Sequence, residues 1–177
     1  MPKRKNRSTA STVVTEMKDV ADDGRVIVDM VQEDNLLEWN IEFPSALFVE
    51  RHIDLFLDLE KYGGQLDRKA SIMLHVIFPQ NYPHEPPFIR VVQPLFQFHT
   101  GHVTVGGSIC AEHLTRQSWS SNTTITELMM LLQELLIQGE ARVDFGSPHH
   151  PDYTRQYTIE EARHAFTRVA RDHGWRA

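Results

Sequence analysis

Apolar residues near the start of the chain recur with helical spacing: Ala10, Val13, Val14, Met17, Val20 and Ala21 fall on one face, and Asp22-Asp23-Gly24 breaks the pattern. Arg25 to Val31 reads as a strand and Glu33-Asp34-Asn35 as a turn. The period then changes to two. Leu37, Trp39, Ile41 and Phe43 alternate with Glu38, Asn40 and Glu42, which predicts an antiparallel strand with one face in the core and one in water, ended by Pro44. Ser45 is placed to cap a helix with Phe48, Val49, His52, Ile53, Phe56 and Leu59 inward, closed by Gly63-Gly64. Ala70 to Phe78 alternates again, with Ile72, Leu74, Val76 and Phe78 inward, and Phe88 to Val92 adds a strand cut off by Pro94.

Residues 95–122 carry no regular period. Irregular segments of that length in a domain are uncommon and often functional. Two capped helices follow. Thr124 with Glu127 forms a capping box ahead of Ile125, Leu128, Met129, Leu132, Leu135 and Leu136, with Gly139 at the stop. Thr158 with Glu161 does the same for Ile159, Ala162, Phe166, Val169 and His173, with Gly174 after. Antiparallel strands grouped before helices define an α+β domain.

Composition narrows the function. At 177 residues, one domain with its own core is expected. The lone Cys110 excludes an intrachain disulfide and points to a reducing compartment. No apolar run reaches the ~20 residues of a membrane span, and no signal-peptide pattern opens the chain. The net charge is −6, but Lys3, Arg4, Lys5 and Arg7 contribute +4, so residues 8–177 carry −10. An acidic body is a poor match for nucleic acid, and no nucleic-acid or membrane partner is expected. Residues 1–8 read as a basic disordered tail, with an import address as the other reading, and residues 9–177 as the folded core.

The irregular segment holds His99, His102, Gly106-Gly107, Cys110, His113 and Trp119. By composition alone Cys110 is an inert buried thiol, a nucleophile, or one of four zinc ligands with His99, His102 and His113. The zinc spacing matches no familiar structural site.

Ordered blocks choose among these. Tyr82-Pro83-His84-Glu85-Pro86-Pro87 precedes a strand, then Gly107-Ser108-Ile109-Cys110, Leu114, Trp119-Ser120 and Thr124-Ile125 follow. The arrangement resembles the core of a ubiquitin-conjugating enzyme. It is closer to the Q-type branch through Gly101-His102-Val103, Gly106 to Cys110, Leu114-Thr115, Ala141-Arg142-Val143, Tyr157 and His173-Gly174-Trp175. The likeness runs from about Arg25 to Trp175. It implies a four-stranded antiparallel meander sheet with an N-terminal helix and helices packed after the active-site segment. It also implies that Cys110 accepts ubiquitin from an activating enzyme as a thioester and passes it to an acceptor lysine, directly or with a ligase. The resemblance further implies that no cofactor is bound, since ATP is consumed upstream by the activating enzyme, and a cytoplasmic or nuclear setting is expected. The other reading is a scaffold of the same fold that binds pathway partners without transfer.

Several positions depart from the common family pattern. His102 stands eight residues before Cys110, where most members have Asn, and is the second catalytic candidate. His84 replaces an aromatic ligase contact and Ser121 replaces a proline, so both are candidate partner positions. Glu140 or Asp144, after the third helix, is a candidate for orienting an acceptor, and Glu112 with His113, beside Cys110, for tuning the thiol's surroundings, Glu112 also as an acceptor or partner contact. The first helix carries Glu16, Lys18 and Asp19 in place of a basic docking face. Tyr82-Pro83 is a candidate cis bond.

Overall fold

The computed structural model describes residues 8–175, and the basic run at 3–7 lies outside them. Helix α1 (Thr9–Asp23) starts where the Ser8 hydroxyl accepts from Ser11 N and stops at Gly24, whose φ of 71° is open to glycine. Strands β1 (Ile27–Met30), β2 (Glu38–Pro44), β3 (Ser71–Ile77) and β4 (Phe88–Gln93) pair antiparallel in chain order, the expected meander. Helices α2 (Ile53–Leu66), α3 (Ile125–Gln138) and α4 (Ile159–Asp172) complete the α+β domain. Among the described residues no helix is long and apolar enough to cross a membrane.

The alternation in β2 and β3 sets the register. Trp39 pairs with Val76, Ile41 with Leu74 and Phe43 with Ile72, and all six are buried on one face. Each such side chain contributes ~2 kcal/mol on burial, so a one-residue slip that turned three of them to water would cost several kcal/mol. Val13 and Val20 of α1 and Ile125, Leu128, Leu132 and Leu136 of α3 join the same core. Both predicted capping boxes form, at Thr124 with Glu127 and at Thr158 with Glu161.

Glu16 differs from its expected place on a surface face. It is 1% exposed, and its carboxylate accepts from Ile125 N at 2.9 Å. A free N–H at the positive end of α3 is thereby met by a carboxylate from α1, which locks the two helices together. The outer face of the sheet is also less wet than alternation suggested. Ser71, His75 and Arg90 are buried there, and Phe166 of α4 packs edge-on against Phe88 of β4.

The helix expected from Ser45 to Gly63-Gly64 is two elements. A 3-10 turn spans Ser45–Phe48, and α2 begins at Ile53, where His52 Nδ1 accepts from Leu55 N. Leu55, Leu59 and Tyr62 face inward, while Val49 and Ile53 are exposed. The two glycines lie inside α2, which ends with Asp67 at a φ of 50°. Gly63 is a packing requirement, since a Cβ there would meet Arg68 O at 2.8 Å and Ala70 N at 3.0 Å. A Cβ on Gly64 meets nothing within 4 Å. Gly64→Ala should therefore stabilise the protein by about 0.5–1 kcal/mol in urea denaturation, and Gly63→Ala should destabilise it by about 1–3 kcal/mol.

Candidate active site

Residues 102–110 fold back as a small hairpin. Val103 bridges Ile109, Thr104 N donates to Ser108 O at 2.9 Å, Gly107 N donates to Thr104 O at 2.9 Å, and Cys110 N donates to His102 O at 2.8 Å. The Thr104 and Ser108 hydroxyls bond each other at 2.8 Å. So short a ribbon is marginal alone, and here it is held on three sides. Val91 N of β4 donates to Gly107 O at 2.8 Å, and Gly101 N donates to Gly139 O at 2.7 Å at the end of α3. On the third side, the Tyr157 ring lies where a Cβ on Gly107 would sit, and the Glu161 carbonyl where one on Gly106 would.

Tyr157 organises that side. Its hydroxyl accepts from Phe96 N at 2.8 Å, its N–H donates to Val92 O at 3.0 Å, and its carbonyl accepts from the Arg90 guanidinium at 2.9 Å. Burial pushes its phenol well above the ordinary range, so it remains a neutral hydrogen-bonding group. The buried His150 ring packs edge-on to it, 5.5 Å between centroids. Tyr157 fell within the Q-type blocks without a site role, and Arg90 was not singled out, though it is the one charge in the apolar run Phe88 to Val92.

Cys110 ends the hairpin half-buried, and burial pushes its thiol above the ordinary range. Ala111 and the 3-10 turn Glu112–Leu114 follow. Glu112 faces away along its own turn: its carbonyl accepts from Thr115 Oγ1 at 2.7 Å and its carboxylate from Ser118 Oγ at 2.9 Å. His102 is exposed with a φ of 56°. Its carbonyl holds Cys110 N, and its imidazole lies against Gly139, where an added Cβ would come within 2.8 Å of Cδ2.

His84 is exposed on the loop between β3 and β4, and Ser121 is half-buried on the loop before α3. Trp119 ties the two loops together, its indole N–H donating to Pro83 O at 2.8 Å. The Tyr82-Pro83 bond is cis, as is Gln93-Pro94, which had not been expected.

Asp144 does not stand where an acceptor could meet it. It is 1% exposed, and its carboxylate accepts from Gly146 N at 3.0 Å, from Ser147 N at 2.8 Å and from the Ser147 hydroxyl. It closes its own turn, where backbone donors two and three residues on replace the water that burial removes. Glu140 remains exposed. The four zinc candidates are not gathered: among the described residues no group of three or more His, Cys, Asp or Glu side chains could hold a metal ion. His99 instead lies tilted against Phe98, 3.8 Å between ring centroids.

Comparison with known proteins agrees with this architecture. The family model described as ubiquitin-conjugating enzyme matches residues 68–173. Ubiquitin-conjugating enzyme E2 Q1 of Mus musculus is 35% identical over 160 residues, covering 86% of this chain and 34% of that protein. The Q-like protein 1 of the same enzyme family, also from Mus musculus, is 30% identical over 165 residues, covering 90% and 94%. The chain thus spans about a third of the length of E2 Q1 and nearly all of the Q-like protein. Among solved structures, a ubiquitin-conjugating enzyme E2 from Plasmodium falciparum superposes with a TM-score of 0.56 at 19% identity, over 77% of this chain and 89% of that one. Human ubiquitin-conjugating enzyme E2 G1 superposes at 0.53 with 14% identity, over 72% and 93%, and both show the shared fold. The chain belongs to the ubiquitin-conjugating enzyme family, in its Q branch.

Because Cys110 is the chain's one cysteine, its ionisation can be read by alkylation. A raised thiol is protonated at neutral pH and releases its proton only as pH climbs. The iodoacetamide rate should rise about tenfold per pH unit from 7 to 8 and show no plateau below about pH 8.5, the ordinary cysteine value. A plateau below about 7.5 would contradict the burial effect.

Proposed function

We propose that the protein carries ubiquitin as a thioester on Cys110 and transfers it to an acceptor amine. The observation that carries this reading is the placement of its one thiol, half-buried at the end of a hairpin clamped on three sides, within the Gly107-Ser108-Ile109-Cys110 block. In loading, the Cys110 thiolate attacks the thioester carbonyl through which an activating enzyme holds the ubiquitin C-terminus. The new C–S bond forms as the old one breaks, and the activating enzyme's sulfur leaves as thiolate. In discharge, a neutral lysine amine attacks the Cys110 thioester, the tetrahedral oxyanion collapses, Cys110 leaves as thiolate, and the amine's proton passes to a base or water. ATP is consumed by the activating enzyme, so this chain is asked to bind no nucleotide. The linked loops carrying His84 and Ser121 are the surface proposed for a ligase that presents acceptors.

His102 is proposed to stabilise the oxyanion with its imidazole N–H, on the strand paired with Cys110. One observation favours the inactive-scaffold reading, the upward displacement of the Cys110 thiol. A loading assay separates the two. With activating enzyme, ubiquitin and ATP, a reductant-sensitive adduct should form, vanish in Cys110→Ala, and become reductant-resistant in Cys110→Ser. No adduct in the parent protein would leave the scaffold.

For His102, single-turnover discharge onto free lysine should fall about tenfold or more in His102→Ala and be restored in part by His102→Asn, with loading unchanged. Equal discharge in all three proteins would remove the imidazole from the mechanism.

A further inference from the structure

Asn40, His75 and Arg90 form one row across β2, β3 and β4, since Asn40 pairs with His75 and His75 with Arg90. The row lies on the face of the sheet opposite the core. Over it opens a hollow of about 270 Å³, with Met73, Val92 and Gln156 also in its walls. Three side chains with polar ends converge on a site that the packing of the core does not use.

Arg90 is the unusual member. It is 9% exposed, and among the described residues no carboxylate forms an ion pair with it. Nη1 donates to Tyr157 O at 2.9 Å and to Val91 O at 3.4 Å, while Nε is buried without a partner. Carbonyl oxygens solvate a cation but do not cancel its charge, and a buried charge without a counter-charge is costly. Glu160 and Glu161 act on Arg90 only from a distance, and Glu161 is committed to the N-terminus of α4 and to Arg155. Glu38 is held by His75 Nε2 at 3.3 Å. Burial correspondingly pushes the Arg90 guanidinium below its ordinary range.

We propose that this hollow is an oxyanion site, in which a phosphate or small carboxylate supplies the counter-charge for Arg90 and takes further hydrogen bonds from Asn40 and Gln156. The planar guanidinium fork suits such groups, and a doubly charged phosphate is held more tightly than a carboxylate. The site makes no use of Cys110, so it stands or falls independently of the proposed transfer.

An amide NMR titration of the full chain with sodium phosphate, at fixed ionic strength against sodium chloride, tests it. Saturable shifts are expected at Asn40, His75, Arg90 and Gln156, with affinity at least about tenfold weaker in Arg90→Gln. Val92→Glu places a carboxylate on the same strand face, ~7 Å along from Arg90. It should abolish phosphate binding yet raise the melting temperature, because the protein then carries its own counter-charge. Sodium acetate serves as the carboxylate probe, and saturation by either anion supports the site. Shifts that track chloride without saturating, or phosphate binding unaltered in both variants, would overturn it.

Discussion

At four glycines around Cys110 the backbone lies too close to its neighbours for any side chain, and the site depends on it. A Cβ on Gly101 would come within 2.7 Å of the Ala141 Cβ, and one on Gly139 within 2.9 Å of Gly101 Cα. On the far side, Gly106 lies on the Glu161 carbonyl and Gly107 on the Tyr157 ring, the latter at a φ of 86°. Four positions without side chains let the hairpin sink between the end of α3 and the start of α4. A short ribbon that would fray in water is made rigid by contacts across the chain.

That clamp has a chemical consequence. Drawing the hairpin inward half-buries the sulfur, and loss of water raises its pKa. A less acidic thiol is seldom ionised at neutral pH, but its thiolate is the stronger nucleophile and the poorer leaving group. Under the proposed transfer, the loaded form would resist water and depend on a well-placed amine. The same burial that limits the free protein's reactivity would guard its intermediate.

Much of this was legible in residue order. The period-two runs at 37–43 and 70–78 specified two strands and their inward faces, and the Thr-x-x-Glu boxes specified the starts of α3 and α4, because those signals are local. What was not legible depends on distant partners. Glu16 reads as surface charge until Ile125, 109 residues away, offers it a free N–H. Gly63 reads as a helix stop until the returning chain at Arg68 and Ala70 shows why no side chain fits. Asp144 is bound by a local signal, since Asp144-Phe145-Gly146-Ser147 is itself a turn signature whose N–H groups its carboxylate accepts from. For His102 the pattern located the residue, but its left-handed backbone turns the ring toward Gly139.

Strand β4 joins these threads. As the last strand of the meander it presents an open edge, which in an isolated sheet invites pairing with other chains. Here that edge is filled from within: Val91 N donates to Gly107 O, Arg90 bridges Ser108, and Val92 O accepts from Tyr157 N. The groups that close the edge are those that mount the cysteine hairpin and its Tyr157 support. Protection of the sheet and placement of the thiol are therefore one structural solution. Displacing either neighbour of β4 would expose an edge and unseat Cys110 together, because the main-chain bonds that close the edge and the Tyr157 side chain that backs the hairpin belong to one assembly.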